Sequence, residues 1–237
     1  MKIRLDKYLA DMGVGTRSEV KRYIQKGLVT VGDAVVKKPE TKIDTDTDTV
    51  SCMGTIVGYA ETEYYMLNKP AGVVSATSDS KDKTVLDLID SKMRKDLFPV
   101  GRLDKDTEGL LLITNDGALS HQLLSPKKHV DKVYYARIDG TVTEEDVKQF
   151  AEGIDIGEKA ITKPGDLHIL KSAEISEIEL TIREGKFHQV KRMFEAVDKP
   201  VLYLKRIRMG SLVLDENLEL GDYRALTEAE LGELKKC

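Results

Sequence analysis

Residues 101–117 read GRLDKDTEGLLLITNDG, and this stretch decides how the whole chain is interpreted. A mostly polar loop leads directly into the apolar run Leu110–Ile113, which Asn115-Asp116-Gly117 ends. The apolar run is typical of a buried strand, and the polar residues after it are typical of a turn. Loops held by such a strand often carry functional groups. The stretch therefore predicts a functional loop on a rigid support.

Two side chains of this loop are candidates for chemistry. Side chains alternate along an extended segment, so Arg102 and Asp104 should point to the same side. A carboxylate placed this way can act as a nucleophile or as a general base. The spacing alone also fits an exposed turn for Asp104 and Asp106, and the local pattern does not decide between the two interpretations.

The chain around this loop alternates between strand and helix patterns. Strands are predicted at 64–67, 110–114, 132–138 and 177–183, and helices at 84–89, 143–152 and 190–197 and from Thr227 onward. Lys69-Pro70 should fix a loop after the first of these strands. The patterns predict a large α+β region that begins near residue 59.

A smaller module precedes this region. Leu5, Tyr8 and Leu9 follow the spacing of a buried helical face, and Thr16 with Glu19 has the spacing of a capping box at the start of a second helix. A short hairpin should follow at 29–36, and 53–62 should be a linker. We therefore predict domains at 1–58 and 59–237.

Charge is unevenly distributed. The net charge is −4, but residues 1–42 carry a net +5, residues 181–210 a net +5, and residues 211–237 a net −4. Nucleic-acid binding needs a local positive face rather than a positive total. The predicted RNA contacts on or beside the first two helices are Arg4, Lys7, Arg17, Lys21, Arg22 and Lys26.

Several classes of protein are disfavoured. Cys52 and Cys237 are far apart and form no Cys-x-x-Cys pair, which argues against a disulfide framework and a zinc ribbon. The four histidines lack ligand spacing, and no phosphate-binding glycine motif is present. The sequence has no export or membrane signal. We expect a cytoplasmic protein without a metal, cofactor or membrane partner.

The motifs resemble one known family. RLDKYLA, GTRSE and GLVTVGD in the first 33 residues resemble a small RNA-binding domain that a ribosomal protein shares with RNA-modifying enzymes. GRLDKDTEGLLLITNDG resembles the catalytic motif of the RsuA family of pseudouridine synthases. Three further stretches agree in order and spacing: YMLNKPAGVVSAT at 65–77, DKVYYARI at 131–138 and LTIREGKFHQVKRMF at 180–194.

The resemblance implies a fold and an activity. It implies an α+β protein: a small N-terminal domain of two helices and short strands, then a mixed, mainly antiparallel sheet with flanking helices. The expected activity is isomerisation of one uridine of 16S rRNA, the equivalent of uridine 516, to pseudouridine. The reaction breaks the N–C glycosidic bond, rotates the uracil and rejoins it through carbon, so it needs neither cofactor nor metal.

The resemblance also assigns roles to residues. Asp104 would be the catalytic carboxylate, and Arg102 would help to hold the extruded nucleotide. Tyr134 would stack on uracil near the carbon that loses a proton, whereas Tyr135 should belong to the core. A carboxylate in a dry pocket needs a positive partner to stay charged. That partner would be Lys191, with Arg192 as second choice or as an RNA contact.

Two other functions fit the same sequence. The first is the same reaction on 23S rRNA; the acidic C-terminal segment without a long basic tail favours the small-subunit target. The second is a non-catalytic RNA-binding factor for ribosome assembly. We expect the partner to be ribosomal RNA or a small-subunit assembly intermediate, and the protein to be a monomer.

Overall fold

The computed structural model describes residues 1–90, 92–125 and 128–237. They form two compact units, Met1–Glu63 with Asp90–Leu97, and Tyr64–Ile89 with Phe98–Cys237. The division into domains at 1–58 and 59–237 stays a prediction, but the segment 90–97, which it placed in the second domain, packs in the first unit. No helix within the described ranges has the length and apolar character needed to cross a membrane.

The first unit is built from short elements around one core. In chain order they are β1 Lys2–Arg4, α1 Leu5–Asp11, α2 Arg17–Gln25, β2 Val29–Val31, β3 Ala34–Val35, β4 Lys42–Asp44, β5 Val50–Cys52 and β6 Thr55–Val57. Strands β3, β2, β5 and β6 form one antiparallel sheet, and β1 pairs with β4. The helices and the sheets bury a shared apolar cluster.

Local sequence signals explain these elements. The capping box is present, because the Thr16 hydroxyl accepts a hydrogen bond from the Glu19 backbone N–H and the Glu19 carboxylate accepts one from Thr16. The two helices and the hairpin are confirmed. The linker prediction at 53–62 is wrong in part, since Thr55–Val57 extends the sheet. These three residues are short of any strand pattern in the sequence, and they form a strand because they pair with β5.

The second unit holds the remaining elements. They are β7 Tyr64–Lys69, β8 Phe98–Pro99, β9 Glu108–Thr114, α3 Gly117–Leu124, β10 Lys132–Asp139, α4 Glu144–Glu152, β11 Asp166–Lys171, β12 Ile175–Ile182, α5 Gln189–Glu195, β13 Val201–Met209, β14 Leu212–Val213, β15 Tyr223–Ala225 and α6 Glu228–Leu234. A 3₁₀ turn, Val85–Leu88, stands where a short helix was predicted. Strands β11 and β13 carried no clear sequence signal.

One mixed sheet organises this unit. Its main path is β11-β12-β10-β13-β9-β7-β15, with β14 beside β13 and β8 beside β9. Among the strand pairs of the described ranges, β13 with β9 is parallel and the others of this sheet are antiparallel. The predicted α+β class with a mainly antiparallel sheet is confirmed.

Strand β9 lies in the interior of this sheet, as its apolar run predicted. Leu110 and Leu112 are buried in a cluster that α3 and α6 cover. Gly109, at the start of the run, has φ +99°, and a Cβ there would lie 2.3 Å from the backbone oxygen of Arg206. Only glycine allows β13 to approach β9 this closely. The loop before β9 is therefore fixed at its junction with the sheet.

Candidate active site

The loop 101–107 is clamped from below by a buried lysine. The Lys69 side chain, at the end of β7, is fully buried. Its ammonium donates hydrogen bonds to the carbonyl oxygens of Pro70 (3.0 Å), Asp104 (3.1 Å), Lys105 (3.3 Å) and Thr107 (2.8 Å). Within the loop expected after β7, this lysine bonds Pro70, and its other three hydrogen bonds hold the loop that carries Asp104.

A second set of contacts holds the same loop from the side. The buried Ser75 hydroxyl donates to the Leu103 carbonyl (2.8 Å) and accepts from the Leu103 N–H (3.1 Å). The Gly72 N–H donates to the Lys105 carbonyl (2.7 Å). The loop backbone is thus bonded to the end of β7 and to the segment after it, and these bonds hold the backbone at Asp104 in place.

Burial gives Lys69 an unusual acidity. It lowers the pKa of the ammonium from 10.5 to about 8, against the opposing attraction of the Asp106 and Asp104 carboxylates. The charged form therefore persists at neutral pH with four carbonyl partners.

The loop faces a pocket of about 890 Å³. Arg102 and Asp104 line it from the loop, Tyr134 from β10, and His188 from the segment before α5. Tyr134 is buried, with 8% of its surface exposed. The structure thus brings Arg102, Asp104 and Tyr134 to one cavity. Across residues 1–90, 92–125 and 128–237, no group of three or more His, Cys, Asp or Glu side chains is arranged to hold a metal ion.

Lys191 lies between two carboxylates. Its ammonium is 3.6 Å from Asp104 Oδ2 and 2.6 Å from Asp106 Oδ1. The Asp104 side chain is 27% exposed and that of Asp106 is 73% exposed. His188 Nε2 is also 3.6 Å from Asp104 Oδ1. The predicted partner of Asp104 is therefore nearby, but its shortest contact is to Asp106.

This contact changes the acidity of Asp106. The hydrogen bond from Lys191 is the main cause that holds the pKa of the Asp106 carboxyl below its ordinary value, and burial opposes it. Lys191 is therefore shared by the Asp104 and Asp106 carboxylates rather than paired with Asp104 alone.

The two arginines predicted near the site differ in their surroundings. Arg102 is exposed and makes no ion pair within the described part of the chain. Arg192 is 2.7 Å from Glu158 Oε1 and also donates to the carbonyls of Phe187 and Ile156. Arg192 is therefore a structural link rather than a partner of Asp104, and the assignment of an RNA contact to it stays a prediction.

Two buried cations of the pocket were missed by the sequence analysis. Lys132 on β10 and Arg206 on β13 line the pocket, with 7% and 2% of their surfaces exposed. Burial, and then the charge of Arg206, lower the pKa of Lys132. Arg206 Nε donates to the Leu110 carbonyl (2.9 Å). Lys132 was an ordinary basic residue at the start of a predicted strand, Arg206 lay in a segment without a clear strand pattern, and no signal distinguished either residue.

The six basic residues of the first unit that were predicted to contact RNA are all exposed. Arg4 makes two hydrogen bonds to the Asp6 carboxylate (2.9 and 2.7 Å), and Lys7 is 3.4 Å from Asp11. The other four belong to α2 or to its C-terminal cap and make no ion pair within the described ranges: Arg17, Lys21, Arg22 and Lys26. The four basic residues of α2 and its cap are therefore more available to bind phosphates than Arg4 and Lys7, which already contact carboxylates.

Lys69→Met should destabilise the second unit by about 2 kcal/mol, because several buried carbonyls lose a charged donor. The folded pKa lies below the unfolded one, so the unfolded chain binds more protons between pH 8 and pH 10.5. The difference in the free energy of unfolding between wild type and Lys69→Met should therefore grow as pH rises from 8 to 10.5 and shrink as pH falls toward 8. Urea unfolding at several pH values measures it.

Lys105→Met is the matched control for this experiment. Lys105 lies in the same loop, but its side chain is 52% exposed and pairs with Asp82. Its loss should cost less than about 1 kcal/mol. Equal destabilisation by the two substitutions would contradict the role assigned to the Lys69 clamp.

Comparison with known proteins defines the class. Residues 63–196 match the family model described as RNA pseudouridylate synthase, and residues 3–50 match the S4 domain. A solved structure described as the crystal structure of pseudouridylate synthase shares 39% sequence identity with a TM-score of 0.69, over 98% of this chain and 99% of that chain. The chain therefore belongs to the RNA pseudouridylate synthase family, whose members are isomerases.

Several relatives are similar to this chain over almost its full length. An uncharacterised RNA pseudouridine synthase of Bacillus subtilis is 48% identical over 97% of each chain. Ribosomal small subunit pseudouridine synthase A of Vibrio cholerae is 41% identical over 99% of this chain and 100% of that protein, and the one of Escherichia coli is 38% identical over 97% and 99%. The resemblance to the RsuA family and the predicted N-terminal RNA-binding domain are confirmed.

Proposed function

We propose that this protein isomerises one uridine of 16S rRNA, the equivalent of uridine 516, to pseudouridine, with Asp104 as the catalytic carboxylate. The observation that carries the proposal is the position of Asp104: its backbone is clamped by Lys69, and its carboxylate lines a pocket with a cation 3.6 Å away. The names of the relatives in Vibrio cholerae and Escherichia coli support a small-subunit rRNA substrate.

The pocket supports a division of roles. The target uridine leaves the RNA stack, at a cost of a few kcal/mol, and its base lies against Tyr134. Asp104 attacks the ribose, or abstracts a proton in a glycal route; the geometry suits either. Lys191 keeps negative charge available at Asp104, and Arg102, exposed at the rim, binds the RNA backbone beside the extruded nucleotide.

Mapping of pseudouridines tests the proposal. Pseudouridine is mapped at nucleotide resolution in 16S and 23S rRNA from strains with and without the gene. We expect pseudouridine to be absent from one 16S position in the deletion strain and to be present there again after complementation. Loss at a 23S position instead would establish the large-subunit alternative.

The non-catalytic alternative is tested with the purified protein. An assembly factor would bind precursor 16S rRNA and yield no pseudouridine, whereas the proposed enzyme converts the mapped uridine in vitro. Location in the cytoplasm and a monomeric state remain predictions that fractionation and light scattering check.

The double substitution Lys21→Ala with Lys26→Ala should weaken RNA binding. These side chains are exposed and carry no ion pair within the described ranges, so each is available for a phosphate. The slope of log K against log salt concentration should fall by about one unit for each lost contact. The measurement is filter binding of a 16S fragment at several salt concentrations.

Lys148→Ala is the control for this measurement. Lys148 is 72% exposed on α4 and also carries positive charge. An equal drop in the slope for Lys148→Ala would show that the effect reflects total charge rather than the α2 surface.

A further inference from the structure

Phe187 is exposed in a way that the described site does not explain. With 72% of its surface exposed, it is the most exposed large apolar side chain in the described part of the chain. It lies in the segment between β12 and α5 and lines the same pocket as Asp104. A single exposed apolar residue is ordinary, so its setting decides whether this one has a role.

The backbone that carries Phe187 is held firmly. The Lys186 N–H donates to Gln189 Oε1 (2.9 Å), and Gln189 Nε2 donates to Glu184 Oε1 (3.0 Å). On the other side, Arg192 Nη1 donates to the Phe187 carbonyl (3.1 Å). The ring is therefore displayed by a bonded segment, so its exposure is built into the fold.

The ring also stacks on its neighbour. The Phe187 and His188 rings have centroids 3.8 Å apart and planes 18° apart. His188 has φ +48°, an uncommon value for a residue with a side chain, and its Nε2 is 3.6 Å from Asp104 Oδ1. Asp104, His188 and Phe187 thus form a row, and Phe187 is its outermost and most exposed member.

We propose that Phe187, backed by His188, is a stacking platform for an unpaired RNA base next to the uridine that enters the pocket. The inference rests on the proposed function, because it assumes an extruded uridine at Asp104. A flat aromatic face that is open to solvent suits a nucleobase, because every base has a π-face that can stack on it.

The geometry distinguishes the neighbouring base from the target. Tyr134 is buried in the pocket, where the target base would lie, whereas Phe187 lines the same pocket and is largely exposed. Extrusion of one nucleotide removes a stacking partner from the base beside it. The Phe187 ring replaces that partner and so lowers the free energy needed to open the RNA.

Fluorescence of 2-aminopurine tests the stacking directly. A 16S fragment carries 2-aminopurine on the 5′ or the 3′ side of the proposed target uridine, and its quenching is measured on binding to wild type, Phe187→Ala, Phe187→Trp and Phe187→Leu. Wild type and Phe187→Trp should quench one of the two probes. Phe187→Ala and Phe187→Leu should lose this quenching.

Kinetics supply the second measurement. On unmodified RNA, Phe187→Ala should lower kcat/KM by about 5- to 150-fold, which is the range of stacking free energies. An abasic nucleotide at the quenched position should lower the wild-type value similarly and should not lower the Phe187→Ala value further. The matched control is Leu170→Ala, which removes an exposed apolar side chain from the edge strand β11 and should leave both measurements unchanged.

The outcomes separate this inference from the proposed function. Active wild type with unchanged quenching in Phe187→Ala, or additive effects of Phe187→Ala and the abasic site, would overturn the stacking role alone. Full activity of Phe187→Leu would show that an apolar side chain is sufficient without aromatic stacking and would also overturn it. Quenching through Phe187 by a protein that forms no pseudouridine would support the platform while refuting the proposed reaction.

Discussion

Asp104→Asn is expected to bind rRNA as wild type does and to form pseudouridine roughly 10⁴-fold more slowly or not at all, as when other enzymes lose a nucleophile or base. The substitution keeps the size and planarity of the side chain. Lys69 and Thr107 contact the Asp104 backbone carbonyl, so the loop keeps its path. The change therefore replaces one carboxylate oxygen by an amide nitrogen and leaves the rest of the loop as it is.

The measurement is the initial rate of conversion of the mapped uridine, with RNA affinity determined on the same samples. Asp106→Asn is the matched comparison, because Asp106 belongs to the same loop and touches the same lysine but is 73% exposed. It should lower the rate by less than about tenfold, as for a surface ion pair. Retained activity in Asp104→Asn would refute the assigned role.

Elements with a local cause were predictable from the sequence. Helix α2 begins at its capping box and β9 follows its apolar run, because the signals for both lie within a few residues. Helix α5 ends at Glu195, two residues before the end of the helix predicted at 190–197. Strand β6 was read as linker, because its pairing with β5 is not a property of its own residues.

The tyrosine pair shows the limit of strand periodicity. Alternation put Tyr134 and Tyr135 on opposite faces of the strand, and the family resemblance, not the periodicity, singled out Tyr134, which lines the pocket. The prediction that Tyr135 belongs to the core is wrong: its ring is half-buried, and its hydroxyl donates to Glu177 Oε2 (2.7 Å). Periodicity assigns a face, whereas burial depends on what covers that face.

The support of the site was the least predictable part. Asp104 was found through its motif, but Lys69 acts on it from 35 positions away and Ser75 bonds Leu103 from 28 positions away. No local pattern links positions so distant. The pocket cations Lys132 and Arg206 were missed for the same reason, since their shared environment exists only once β10 and β13 pair.

Lys191 contacts two carboxylates, whereas the sequence predicted a pairing with Asp104 alone. Its shortest contact is to the exposed Asp106, and it stands 3.6 Å from Asp104. Without this cation, two carboxylates would face the same region of the site with no positive charge between them. Loss of Lys191 should therefore harm the reaction more than loss of Asp106.

Lys191→Met is expected to lower kcat/KM by roughly 10³-fold, about 4 kcal/mol, the order found when an active site loses one group that stabilises charge in the transition state. Lys191→Arg restores a cation and should recover part of the rate. In Lys191→Met the pKa of the Asp106 carboxyl should also rise toward its usual value of 3.8, because the hydrogen bond that mainly lowers it is gone. Steady-state kinetics and carboxyl NMR titration measure the two effects.

The sign of the pH effect follows from the same contact. A carboxyl whose pKa is lowered by folding stabilises the folded state above its ordinary pKa, and this stabilisation is lost as pH falls through the lowered value. The stability difference between wild type and Lys191→Met should therefore be largest near neutral pH and shrink below about pH 4. Activity of Lys191→Met within tenfold of wild type, or an Asp106 pKa that does not move, would mean that the lysine supports the helix surface rather than the charge at the pocket.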